Sequence, residues 1–214
     1  MSLMSCQGAV SVATVQPMSG PAVLQPYDPA WPGRAAQLLS AVERAVTPLG
    51  VGESFEHIGS TSVPGLMAKA YVDLQVTVSE LPPPQVLDQA LAPIGFVPTT
   101  GSRPDSPGVY RDIPRGSDVV PDEVWRKRLF VHDIDGPEAA ILHIRLSASP
   151  WGRYTLWFRD WLRAHPDARD RYAAFKSGVA AEHSGDADYD DYTLAKTAFF
   201  DQVQEQFEAW GRRR

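Results

Sequence analysis

One acid interrupting a valine-rich strand, directly after a glycine–serine turn and a lysine, is the arrangement in this chain best suited to chemistry. Glu56-His57-Ile58 runs into Gly59-Ser60-Thr61, a Pro-Gly loop carries Lys69, and Tyr71-Val72-Asp73-Leu74-Gln75-Val76 follows. A carboxylate so placed could hold a divalent cation that bridges phosphate oxygens. Lys69 could steer a phosphate from its loop, although loop lysines are as often simply solvated. His57 could orient a ligand, against the commoner case of a hydrogen-bonded structural histidine. Small residues mark any tight turn, so Gly59, Ser60 and Thr61 gain meaning only in combination with Asp73.

A second polar set comes from a hairpin. Strands expected at about 126–132 and 139–146 are joined through Asp133-Ile134-Asp135-Gly136-Pro137. In the second strand Ala140, Leu142, Ile144 and Leu146 point one way, His143 and Arg145 the other. The register suggested by the loop puts Arg126, Arg128 and His132 with His143 and Arg145; a slip of one residue would set Arg128 opposite Leu142. If this hairpin joins the sheet of Asp73 and Gln75, one face collects acids, arginines and a histidine suited to a phosphorylated ligand. The competing expectation is an open sheet face in water, where such charges are solvated. Lys196, beside the apolar stripe of the last helix, either snorkels at the edge or reaches the sheet.

These residues need positioning elements. Ala22-Val23-Leu24 reads as a short strand, and Asp28-Pro29-Ala30-Trp31-Pro32 starts a helix striped by Leu38, Leu39, Val42 and Val46. Strands are expected over about 54–58, 71–78 and 95–98, and a helix over about 85–92. A loop over about 99–124 is long for a compact domain and therefore functional or mobile. The last third is helical, over about 153–165, 167–183 and 189–211. The aromatic stripe of Tyr154, Trp157, Phe158, Trp161 and Leu162 is core packing. The expected fold class is α+β, with a tail over 1–20, a core over 21–148 and a C-terminal helical segment over 149–214 packed on it.

The 214 residues carry 20 basic and 26 acidic side chains, a net charge of −6 that disfavours sequence-blind nucleic-acid binding. Cys6 is the single cysteine, so no intrachain disulfide can form and a reducing cytoplasm is the natural compartment. No run approaches the roughly 18 apolar residues of a membrane span, and residues 1–20 lack the pattern of a signal peptide. His57, His132 and His143 are scattered without a metal-binding spacing, which argues against structural zinc. No Gly-x-Ser-x-Gly elbow supports a serine nucleophile.

Several runs together resemble one family. They are Pro26-Tyr27-Asp28-Pro29-Ala30-Trp31, His57-Ile58-Gly59-Ser60-Thr61-Ser62-Val63-Pro64-Gly65-Leu66-Met67-Ala68-Lys69, Tyr71-Val72-Asp73, Leu142-His143, Phe158-Arg159-Asp160-Trp161-Leu162-Arg163 and Tyr192-Thr193-Leu194-Ala195-Lys196. They look like the GrpB family over about 22–210, with Ala70 where the motif usually has proline. The resemblance implies a nucleotidyltransferase-like mixed β-sheet with flanking helices, and relatives fused to dephospho-CoA kinase, hence a link to coenzyme A metabolism. In that superfamily a Gly-Ser pair contacts a triphosphate and strand acids hold Mg2+. The resemblance therefore casts Asp73 as the catalytic and metal-binding residue, with Mg2+ or Mn2+ as its metal. The second acid expected two residues on is Gln75, and Glu56, Asp112 and Asp118 are candidate replacements. Ligand contacts are expected from His57, Gly59, Ser60, Thr61, Lys69, Gln75, Arg128, His143, Arg145 and Lys196. The ligand would be a nucleotide or other phosphorylated small molecule. Metal-dependent nucleotidyl transfer, binding without turnover and an adaptor role all stay open.

Overall fold

Four helices begin with proline in their first turn, where the missing N–H costs nothing and the fixed φ suits the helix. They are α1 (Trp31–Val46), α2 (Pro84–Leu91), α3 (Pro150–Ala164) and α4 (Pro166–Glu182). The computed structural model describes residues 21–101, 106, 108–188 and 190–214. The tail expected over 1–20, with Cys6, lies outside the described residues. The start of α1 is set by Asp28, whose Oδ1 accepts the Ala30 N–H at 2.8 Å. Trp31 then drops into the core, its ring edge-on to Tyr27 at 5.5 Å.

The strands are β1 (Ser54–Ile58), β2 (Val72–Val78), β3 (Phe96–Pro98), β4 (Lys127–His132) and β5 (Ala140–Leu146). They form one mixed sheet in the order β1-β2-β5-β4-β3, with β2 and β5 parallel and the other neighbours antiparallel. This is the expected α+β architecture. On one face Val72, Leu74, Val76, Leu142, Ile144 and Phe130 pack against Trp31, Val42, Leu87 and Leu91 of α1 and α2. The other face presents Asp73, Gln75, His143 and Arg145, and it too is covered. Across it lie α3, α4, α5 (Asp190–Ala195) and α6 (Thr197–Gly211), tied together by Tyr154, Phe158, Trp161, Tyr172, Phe200 and Phe207. The open, solvated sheet face is therefore not what forms. Among the described residues no helix is long and apolar enough to cross a membrane.

Three expectations need correction. No strand forms at 22–24; Gln25 alone makes an isolated bridge, to Ala68. The helix expected over 189–211 is two helices interrupted at Lys196. The hairpin register is also shifted by one from the expected pairing. Lys127 faces Arg145, Leu129 faces His143 and Arg128 faces Ile144. Arg128 and His132 thus belong to the α1/α2 side, and Arg126 precedes the strand and is exposed. The physical reason lies in Leu129-Phe130-Val131, an unbroken apolar run. It suits a strand covered on both faces, so alternation could not say which parity points where.

Candidate functional site

The polar face is organised around Arg145. Its Nε and Nη2 donate to Asp112 at 2.7 and 3.0 Å, and its Nη1 donates to Gln75 Oε1 at 2.8 Å. Lys127, one strand over, sits 3.1 Å from Asp112. All three charged side chains are nearly sealed from solvent, at 3–5% exposure, so the group is a closed ion cluster and not a free phosphate grip. Burial alone would raise the Asp112 pKa, but Arg145 and Lys127 overcome it and hold the carboxyl below its usual range.

Gln75 is fully buried. Besides accepting from Arg145, it donates to the Gly152 carbonyl at 3.0 Å and accepts from the Thr155 hydroxyl at 2.9 Å. A carboxylate here could not donate to Gly152, whereas the amide satisfies all three neighbours. Gln75 therefore braces β2 against α3 and lies outside the cavity lining. Gln75→Leu should cost about 1–3 kcal/mol by stranding the Arg145 and Gly152 groups, read as a lower midpoint in urea with unchanged slope.

His143 stands between this cluster and Asp73. Lys127 and Arg145 both approach its Nδ1, at 3.2 Å each. Burial, then these two cations, push its pKa well below the normal value. Since cationic donors occupy Nδ1, the neutral ring carries its proton on Nε2, which faces Asp73 Oδ1 at 3.9 Å. Asp73 lies deep in the molecule yet is 30% exposed, because it looks into a cavity instead of packed core. Burial raises its pKa against the opposing pull of Lys196, Lys69, Arg145 and Lys127.

That cavity has two confluent chambers, of about 280 and 230 Å3. Ser60, Asp73, His143, Arg145, Trp151 and Lys196 border both. Besides Lys127, the first chamber holds three lysines from three separate segments. Lys69 comes from the Pro-Gly loop and lies over Tyr71 and Tyr192 at 5.1 and 5.8 Å. Lys196, at the α5–α6 interruption, lies 4.8 Å from the Tyr192 ring centre. Lys176 of α4 is 1% exposed and donates to the Met67 carbonyl. Burial, followed by the charge of Lys196, lowers the Lys176 pKa to about 7, while Lys127 is lowered to about 8 chiefly by burial. Lys69 is pushed well below its normal value by burial and by Lys196, and burial also lowers Lys196.

Of the expected site residues, Ser60, Thr61, Lys69, Asp73, His143, Arg145 and Lys196 line the cavity, and Gly59 lines its second chamber. His57 does not: it pairs with Leu74, so it falls on the opposite face, where its Nε2 meets the Thr61 hydroxyl at 3.0 Å. Burial first, then Arg163 and Arg159, lowers its pKa to about 4. Arg128 is likewise on the far face, a consequence of the shifted register. Among the proposed replacement acids, Asp112 reaches the site but is held by Arg145 and Lys127. Asp118 pairs with Arg153 and Arg212, and Glu56 pairs with Arg159 at 2.8 Å.

Sequence reasoning missed Lys127, Lys176, Trp151 and Arg115. Lys127 was hidden by the register ambiguity. Lys176 lies in α4, whose apolar pattern is too weak to separate a buried face from a wet one. Trp151 precedes the aromatic stripe, and Arg115 sits in the long loop, where no periodicity operates.

The cavity does not fit a two-metal centre. Such a site needs two or three convergent carboxylates; of the three that border the cavity, Asp112 is committed to Arg145 and Lys127 and Asp190 accepts from the Ser106 hydroxyl, which leaves Asp73 to face a ligand. Among the described residues no group of three His, Cys, Asp or Glu side chains could hold a metal ion.

Residues 21–206 match the family model described as GrpB protein. The chain belongs to the GrpB family. GrpB relatives include a protein named dephospho-CoA kinase in Mycolicibacterium paratuberculosis, 30% identical over 90% of this chain but only 47% of that protein. This chain thus spans about half the length of that relative. The UPF0157 protein BH1888 of Halalkalibacterium halodurans is 28% identical, covering 94% of this chain and 89% of the relative. A crystal structure of conserved protein GrpB from Enterococcus faecalis superposes with a TM-score of 0.65 at 24% identity. It covers 88% of this chain and 99% of its own, and establishes a shared GrpB fold.

Proposed function

We propose that this GrpB-family chain binds a phosphorylated small molecule, with nucleotides and coenzyme A precursors the leading classes, and does so without a metal. The observation that carries the reading is the convergence of Lys69, Lys176 and Lys196 on one chamber beside the Gly59-Ser60 turn. Asp73 and Asp190 offset part of this buried charge, and a phosphoryl group would supply further charge together with acceptors. Asp73 and the Nε2–H of His143 would then face the ligand's own donors and acceptors. The relatives named dephospho-CoA kinase support the choice of coenzyme A precursors as probes.

The test is a thermal-shift series with AMP, ATP and dephospho-CoA, with and without Mg2+. The protein would be wild type, Lys196→Ala and Asp73→Ala. A ligand at 100 times its dissociation constant adds about 2.7 kcal/mol of stability. A shift that persists with chelator and is lost in Lys196→Ala is expected. A strictly Mg2+-dependent shift lost in Asp73→Ala would replace this reading with metal-dependent nucleotidyl transfer; no shift with any probe would remove it.

Affinity should fall as pH rises from about 6 to about 8, since Lys176, which lines the phosphoryl chamber, loses its proton near about 7. The unliganded protein should respond oppositely. A lysine whose folded pKa is depressed binds fewer protons folded than unfolded between the two values, so stability rises with pH across that interval. Titration calorimetry and melting curves at matched pH values check the two signs.

A further inference from the structure

The second chamber differs from the first in being walled by aromatic and apolar side chains, among them Phe158, Tyr172, Phe200 and Trp151. Three arginines border it, of which Arg145 is already committed to Asp112 and Gln75. Arg159 is fully engaged: its Nη1 donates to Glu56 and the His57 carbonyl, and its Nε and Nη2 donate to Asp160. Arg115 is not. Its side chain is 8% exposed, and its guanidinium lies 5.1 and 5.0 Å from the ring centres of Trp151 and Phe200. The buried Nε has no hydrogen-bond acceptor. Nη1 approaches Asp201 at 2.7 Å, but without the directionality of a hydrogen bond, and Asp201 is 56% exposed and so well screened. The loop holding Arg115 is pinned, because Trp151 Nε1 donates to the Ile113 carbonyl at 2.7 Å.

A buried guanidinium that leaves a donor unmet is expensive unless a ligand completes it. Contact with two rings holds the guanidinium in place, and its planar fork suits a two-oxygen acceptor. We infer that Arg115 receives a second oxyanion of the same ligand, so that the ligand is elongated and carries an anionic group at each end. The phosphoryl end lies against the lysines, a flat or apolar middle lies along Trp151 and Phe200, and the second oxyanion, phosphate or carboxylate, meets Arg115. This assignment rests on the phosphoryl-binding reading of the first chamber.

Matched pairs of ligands test it by titration calorimetry. Adenosine 3′,5′-bisphosphate against AMP adds a second phosphate; 6-phosphogluconate against glucose 6-phosphate adds a carboxylate. The two-ended member of at least one pair should bind roughly tenfold or more tightly, the range expected for one charged hydrogen-bonded group. The pair that responds identifies the second oxyanion. Arg115→Gln should erase that advantage while leaving the one-ended member within about twofold, and Arg115→Lys should restore part of it. Equal affinities within both pairs, or an advantage that survives Arg115→Gln, would overturn the inference while leaving the lysine site standing. Binding of no member of either pair, or binding left unchanged by Lys196→Ala, would instead overturn the phosphoryl reading, and this inference with it. A tungstate soak of wild-type crystals separates the same outcomes without a variant: anomalous peaks at both the lysines and Arg115 are expected, and a peak at the lysines alone overturns the second subsite.

Discussion

Asp112→Ala should destabilise the protein by about 3–5 kcal/mol, the usual result of removing one partner from a buried ion cluster. Arg145 and Lys127 are 4% and 3% exposed, and Asp112 supplies the only carboxylate paired with either among the described residues. Its removal leaves two like charges facing each other across adjacent strands, Lys127 directly opposite Arg145 in the register. For a chain of this size each kcal/mol moves the melting temperature by about 2–4 °C, so a fall of roughly 6–20 °C is expected. Asp112→Asn, which keeps an acceptor but loses the charge, should fall between wild type and alanine. The pH dependence follows from the depressed pKa of Asp112. Its contribution is present above the unfolded value of about 3.9 and is lost as pH falls through the lower folded value. The difference between wild type and Asp112→Ala should therefore shrink in acid. A change below about 1 kcal/mol at neutral pH would mean that the two cations relax into other contacts, and the cluster would lose its structural role.

How much of this could be read from the sequence differs from one residue to the next. Asp73 was legible because Val72, Leu74, Val76 and Val78 alternate around it without ambiguity, and a period of two gives facing directly. The same logic failed at Arg128, where three consecutive apolar residues remove the parity signal, and it failed at His57 because β1 is too short to fix its own facing. Gln75 was visible as the departure from a two-acid pattern, but its partner Gly152 is 77 residues away, so its bracing role required the packed structure. The lysine chamber joins residues from the Pro-Gly loop, α4 and the α5–α6 interruption. Contacts of that sequence separation leave no local pattern, and Lys176 in particular reads as an ordinary helix lysine until α4 is laid over the sheet. Asp112 lies at the end of the same scale. Loop residues have no periodicity, so its pairing with Arg145 depends on where the loop crosses the face.

Gly59→Ala should be nearly as damaging as the loss of Asp112, and its effect should be concentrated on the cavity. Gly59 has φ +69° and ψ −170°, a combination that side-chain-bearing residues avoid at a cost of about 1–3 kcal/mol. The turn cannot easily move to relieve this, since the Gly59 carbonyl accepts both the Ser62 hydroxyl at 2.5 Å and the Ser62 N–H at 3.3 Å. A Cβ at Gly59 would lie 2.2 Å from Asp73 Oδ2 and 2.8 Å from Asp73 Cβ. No rotamer adjustment removes the second of these contacts, so β2 must shift or the turn must open. Either movement displaces Asp73 from His143 and alters the mouth between the chambers. The expected result is a lower melting temperature together with a loss of nucleotide-induced shift at least as large as in Asp73→Ala. A double variant separates the two sources of damage. Adding Asp73→Ala to Gly59→Ala removes the carboxylate clash but keeps the strained φ and the 2.8 Å approach to the Cβ at position 73, so it should recover only part of the lost stability, an interaction on the order of 1 kcal/mol. Full recovery would make the carboxylate clash the whole effect; none would mean that the backbone at Gly59 and its approach to the Cβ at position 73, and not the carboxylate, are what glycine protects.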